Sequence, residues 1–191
     1  MKISIFCASS GKIAPVFFAA AETLAREAAL AGHTIICGGG SVGLMGQLTD
    51  TVRAYGGRII GVMPHFMRQV EWQHDGLDEL ILVDTMHQRK ALFIDRTDAV
   101  VALPGGCGTL EELMEVITLK RLGQFTKPII IVNIAGFYNH LLALFDKMIA
   151  QHFLRPEHTD AWTVVERAED VLPAIAESAA WNTDAIRFAV V

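Results

Sequence analysis

The 191-residue chain has no apolar run approaching the about eighteen residues that a membrane helix needs, and the run from Ile3 to Cys7 is too short for a secretion signal. A soluble, cytoplasmic protein with no membrane partner is expected. There is no block of lysine or arginine either. Sixteen basic residues stand against 21 acidic ones, with a net charge of -5 and a pI near 5.8. Counterion release requires a concentrated basic face, so nucleic acid is excluded as the main partner. Cysteine is scarce: Cys7, Cys37 and Cys107 are odd in number and lack CxxC spacing, which argues against a disulfide framework and a zinc site. The histidines, His33, His65, His74, His87, His140, His152 and His158, show neither HxxxH nor HExxH spacing, so no metal is expected. Linkers, repeats and low-complexity segments are also missing. Residues 1–180 therefore read as a single domain and 181–191 as a C-terminal tail without clear pattern.

What is present is a 52% hydrophobic chain in which short β-branched runs alternate with stretches of helical period. Strands are expected at Lys2 to Cys7, Thr34 to Cys37, Arg58 to Met63, Glu79 to Val83, Ala99 to Leu103 and Pro128 to Asn133. Helices are expected at Pro15 to Ala31, Leu44 to Tyr55, Gln88 to Arg96, Thr109 to Leu122 and Tyr138 to Ala150. Trp162 to Val165 and Glu169 to Glu177 add a last strand and helix. This βαβα order predicts an α/β fold, a Rossmann-like doubly wound and mostly parallel sheet with helices on both faces. Ala99 to Leu103 and Ile129 to Val132 are apolar throughout, as strands covered on both faces are.

In such sheets ligands bind beyond the carboxyl ends of the strands. Three segments there are unusual: Ala8-Ser9-Ser10-Gly11, Gly38-Gly39-Gly40-Ser41-Val42-Gly43, and Pro104-Gly105-Gly106-Cys107-Gly108-Thr109. Glycines between strand and helix can turn several backbone N–H groups toward a phosphate. The second segment satisfies GxGxxG literally. A dinucleotide site, however, needs that motif after the first strand and an acidic residue ending the next one, which here reads Ile59-Ile60-Gly61-Val62-Met63-Pro64. Tight turns serving only the fold are the other reading of these glycines.

The third segment adds chemistry. Thr109 can cap a helix or offer its hydroxyl to a phosphate, while Glu111 and Glu112 fall about 100° apart, so they cannot both face a ligand equally. One of them can be a helix-terminal charge only. Met86-His87-Gln88-Arg89-Lys90 starts another helix at the same edge, where a basic pair opposes the helix dipole unless an anion lies nearby.

Together these residues resemble the LOG (Lonely Guy) family of cytokinin riboside 5'-monophosphate phosphoribohydrolases, over roughly Lys2 to Phe153. The resemblance rests on PGGxGTxxE at Pro104 to Glu112, MHxRK at Met86 to Lys90, GGGxxGLMG at Gly38 to Gly46, and the Lys127-Pro128 to Asn133 strand. It implies hydrolysis of the N-glycosidic bond of a nucleoside 5'-monophosphate without metal or cofactor, by Arg89 and Glu112 as the catalytic pair. It also implies nucleotide binding by Lys90, Gly105, Gly106, Gly108, Thr109 and Glu111, with further substrate contacts at Glu71 and Thr118; Gly39, Gly40 and Ser9, in the other two turns at the ligand edge, are candidate contacts as well. A homodimer with the helices near Gln88 to Arg96 and Glu111 to Leu122 close to its interface is implied as well. Cys107 and Ala8 stand where tyrosine and glycine are frequent. The competing expectation from another class is a nucleotide or molybdenum-cofactor carrier without turnover. A pyridoxal-phosphate decarboxylase is disfavoured, since no Schiff-base lysine with an acidic partner can be identified.

Overall fold

The computed structural model describes residues 1–69 and 72–189. The strands are β1 (Lys2–Phe6), β2 (Thr34–Cys37), β3 (Arg58–Pro64), β4 (Glu79–Val83), β5 (Ala99–Ala102), β6 (Ile129–Val132) and β7 (Thr163–Val165). The helices are α1 (Pro15–Leu30), α2 (Gly43–Ala54), α3 (Met86–Asp95), α4 (Cys107–Arg121), α5 (Asn139–Ala150) and α6 (Val171–Glu177). All seven strands pair in parallel, in the order β4-β3-β2-β1-β5-β6-β7.

Alternate residues of the apolar strands enter different cores. Ile3, Ile5, Ile35, Val101, Ile130 and Val132 pack under α1, α2 and α6, while Phe6, Ile36, Val100, Ala102, Ile129 and Ile131 pack under α3, α4 and α5. Covering on both faces explains why these strands show no polar alternation. α1 starts at Pro15, whose fixed φ suits a first helical position, and turns Ala20, Ala21, Leu24, Ala25 and Ala28 inward. These small side chains let α1 lie close to α2, its main helical neighbour.

The chain runs outward from β1 to β4, then crosses back to place β5 on the other side of β1. That reversal leaves a crevice above the carboxyl ends of β1 and β5, where neighbouring connections diverge to opposite faces. The Ala8 amide donates to the Pro104 carbonyl at 3.2 Å and the Leu44 amide to the Ala8 carbonyl at 2.9 Å. The three unusual turns are thus tied together at one edge.

Two local expectations change. α4 begins at Cys107, two residues before Thr109, with Gly106 as N-cap and no capping side chain. Thr109 is therefore not the cap. The segment beyond Ser178 is also structured: Thr183–Phe188 forms a 3-10 turn, and the Trp181 indole N–H donates to the Lys120 carbonyl at 2.6 Å. A six-residue turn offers too little periodicity to read, and its order comes from packing on the end of α4.

Candidate active site

A cavity of about 350 Å³ opens at the β1/β5 crevice, within the range of small-ligand pockets. Its lining comes from three places: Cys7, Ala8 and Ser9 after β1; Gly106, Cys107, Gly108, Thr109 and Glu112 at the start of α4; and Met86 and Arg89 on α3, with Met45 and Met67 alongside.

The first turn of α4 supplies backbone N–H groups that no side chain caps. A Cβ on Gly106 or on Gly108 would meet no protein atom within 4 Å, so the space over this turn is open to a ligand. Gly105 serves a different purpose, because a side chain there would collide with the Thr109 side chain folded over it. Tyr138, fully enclosed, donates its hydroxyl to the Leu103 carbonyl at 2.7 Å and anchors the residue from which the turn departs.

Thr85 caps α3 by accepting the Gln88 amide at 3.1 Å, which fixes the helical phase of the next two residues. The basic pair then splits. Arg89 turns inward, its side chain 9% exposed, with Nη2 at 3.9 Å from Oε1 of Glu112, itself 10% exposed. Lys90 turns away from the cavity, pairs with Glu111 and lies 2.9 Å from Glu115, its side chain 11% exposed. Hydrogen bonds that its ammonium donates to Glu111 and then to Glu115 raise its pKa above the ordinary lysine value. The adjacent glutamates split likewise: Glu112 is buried against the cavity and Glu111 is exposed beside Lys90.

Burial pushes the Glu112 carboxyl from 4.5 up to about 7, with the Arg89 charge opposing that rise. A buried carboxyl that titrates near neutrality beside a cation, on a cavity wall, has the marks of a catalytic acid or base.

The other residues marked from the sequence are dispersed. Ser9 lines the cavity, but Gly39 and Gly40 do not. Gly39 is pressed against the Gly61 backbone, Leu77 and Leu80, and Gly40 pairs with Gln73 in an isolated bridge. Thr118 is exposed, donates its hydroxyl to the Met114 carbonyl at 2.7 Å, and stands nine residues, about 14 Å of helix rise, beyond Thr109. Glu71 lies outside the described residues. Conversely, Met45 and Met67 reach the cavity. Met45 could have been suspected from its place in GLMG; nothing in the sequence around Met67 signals it.

A wider groove of about 650 Å³ runs along β7 and α6, but Asp160, Asp170 and Glu177 line it and no basic side chain does. The β1/β5 cavity, by contrast, has Arg89 and the uncapped first turn of α4 in its lining.

Known proteins resemble this chain over most of its length. A probable cytokinin riboside 5'-monophosphate phosphoribohydrolase of Oryza sativa subsp. japonica, LOGL9, is 39% identical over 179 residues, covering 90% of this chain and 79% of the relative. The Arabidopsis thaliana enzyme LOG1 is 36% identical and covers 97% of this chain and 92% of its own length. The chain belongs to the LOG family. A family profile described as possible lysine decarboxylase also matches residues 45–175. The site of this LOG-family chain does not suit pyridoxal-phosphate chemistry: among the described residues no lysine lines the cavity, Lys90 is engaged by two glutamates, and Lys120 is buried near the far end of α4. Among solved structures, the molybdenum cofactor carrier protein of Chlamydomonas reinhardtii superposes with a TM-score of 0.71 at 19% identity, covering 92% of this chain and 96% of that one. The molybdenum cofactor binding protein of Rippkaea orientalis gives 0.70 at 20%, covering 92% and 94%. Identities this low establish a common fold and nothing finer.

Among the described residues, no helix is long and apolar enough to cross a membrane.

Proposed function

We propose that this chain hydrolyses the N-glycosidic bond of a nucleoside 5'-monophosphate, AMP or an N6-prenylated AMP, to the free base and ribose 5-phosphate. The observation that carries the proposal is the Arg89–Glu112 pair at 3.9 Å on the wall of a cavity whose rim is the open glycine turn. The relatives' names support the substrate class.

In this reading the 5'-phosphate meets the first-turn amides of α4 between Gly106 and Thr109, where N–H groups and the helix dipole both favour an anion. The ribose then lies along the wall toward Glu112. As the bond between the anomeric carbon and the base nitrogen breaks, positive charge grows on the sugar, and a carboxylate beside it stabilises that charge. Glu112 also takes a proton from the attacking water, whose oxygen bonds the anomeric carbon. The electron pair of the broken bond leaves with the base, which takes up a proton. A carboxyl titrating at about 7 is well matched to accept the water proton at neutral pH. A guanidinium is a donor and a poor proton shuttle, so the role of Arg89 is to bind substrate oxygens and orient Glu112.

The test is incubation of the purified protein with a mixture of AMP and isopentenyladenosine monophosphate, followed by chromatography for free base and ribose 5-phosphate. Release of base from either nucleotide is the expected result. Tight nucleotide binding with no base released at any pH tried supports a carrier and sinks the hydrolase.

Lys90, Glu111 and Thr118 stand outside the cavity within one subunit. We infer a homodimer with α3 and α4 close to the interface, in which such groups reach the nucleotide bound by the neighbouring subunit. Native size measurement at micromolar concentration is expected to give twice 20.9 kDa, and a monomer contradicts the assembly. A cytoplasmic location fits a chain whose three cysteines form no disulfide among the described residues.

A further inference from the structure

The surroundings of Arg89 are unusual for a buried guanidinium. Such groups are ordinarily paired to a carboxylate in fork geometry or bonded to carbonyls. Here Nη1 faces the Met67 sulfur at 3.3 Å and the Met86 sulfur at 3.9 Å, both weak acceptors. The Cζ atom sits 5.5 Å from the centroid of the Phe93 ring. Nε is buried with no hydrogen-bond partner, and Glu112 at 3.9 Å is beyond hydrogen-bond reach. A side chain 9% exposed and lining the cavity thus keeps most of its donor capacity unspent, an unfavourable arrangement in the absence of a ligand.

Gly38 makes room for this arrangement. A Cβ there would lie 2.5 Å from Nη2 of Arg89 and 2.6 Å from the Met45 sulfur. Its φ is outside the left-handed region, so the backbone does not demand glycine at this position. Only the guanidinium and the thioether do. The first glycine of the triple, just after β2, therefore borders the Arg89 guanidinium without lining the cavity.

We propose that Gly38 and Met67 are positioning residues that seat the Arg89 guanidinium by empty space and thioether sulfur, leaving its donors for the ribose and phosphate oxygens of the substrate. The proposal rests on the role given to Arg89 above. A carboxylate in place of the Met67 sulfur would satisfy the guanidinium permanently and compete with the substrate for it. A side chain at Gly38 would displace it, and misplacement of a catalytic group by about 1 Å costs of order 100-fold.

Gly38→Ala is the direct probe, because the obstructing atoms are the far ends of two flexible side chains and the fold can accept it. The expected result is a loss of kcat/KM of about 10- to 100-fold with the melting temperature nearly unchanged. In an Arg89→Gln background the same change is expected to leave the calorimetric affinity for AMP unaltered. At Met67, Leu keeps volume without sulfur and is expected to cost only about threefold, whereas Met67→Glu spends the guanidinium and is expected to cost at least about tenfold. Wild-type kcat/KM in a folded Gly38→Ala protein overturns the proposal. So does an equal loss of affinity in the Arg89 and Arg89→Gln backgrounds, or equal activity of the Leu and Glu variants at Met67, which settles the matter even where Gly38→Ala does not fold. Failure of the parent reading is separate: Arg89→Gln turning over nucleotide at the wild-type rate removes the role of Arg89 itself.

Discussion

The two glycine-rich turns of this chain look alike in sequence and do opposite things. In the turn from Gly38 to Gly46 the missing side chains are replaced by protein. Gly39 lies against Gly61, and Gly43, at φ +68°, against the backbone of Ala8 and Ser9. Gly46 receives the Ser41 carbonyl. In the turn from Pro104 to Thr109, Gly106 and Gly108 face open space above an uncapped helix start. Glycine composition marks close approach, and the structure decides whether what approaches is backbone or ligand.

Substitutions can sharpen or break that contrast. The largest expected effect lies beside the open turn: Glu112→Gln lowers kcat by about a thousandfold or more while nucleotide binding, read by calorimetry, persists. Near-normal base release by this variant defeats the mechanism. In the wild-type protein the ionised Glu112 is the active form, so kcat/KM is expected to rise with pH and level off above about 7, tracing the titration of Glu112. Stability runs the other way. With a folded pKa above the unfolded value, the stabilisation by the protonated carboxyl is fully present below 4.5 and lost as pH rises through about 7, amounting to about 3 kcal/mol at about 1.4 kcal/mol per pH unit. Glu112→Gln is therefore expected to melt higher than wild type at pH 8, and an equal or lower melting temperature there contradicts the burial argument.

A smaller effect on rate separates the turns themselves. Gly43→Ala forces a Cβ to 2.5 Å from the Ser9 backbone at a positive φ, and is expected to cost about 3 kcal/mol or more, visible in chemical denaturation. Gly106→Ala meets nothing in the protein, so it is expected to leave stability within about 0.5 kcal/mol while raising KM several-fold. If Gly106→Ala destabilises as much as Gly43→Ala, the distinction between a packed turn and an open one fails.

The fold was legible because the strands β5 and β6 are continuously apolar and the βα alternation leaves few alternative architectures. The catalytic candidates were legible through the MHxRK and PGGxGTxxE patterns, which fix residue identity. Met67 was not, because its neighbours carry no motif and it reaches Arg89 only by way of the turn after β3. The ordered tail escaped notice for a related reason: its order comes from Trp181 bonding the Lys120 carbonyl, sixty-one positions away in the chain.

By itself the sequence determined the α/β class, the turns at the ligand edge and the identity of the charged pairs, since these depend on periodicity and residue type along the chain. Which member of each pair faces the cavity was decided by the tertiary structure. Arg89 and Glu112 face the cavity while Lys90 and Glu111 pair beside it because adjacent helical residues point about 100° apart, and the seating of α3 and α4 on the sheet chooses between those directions.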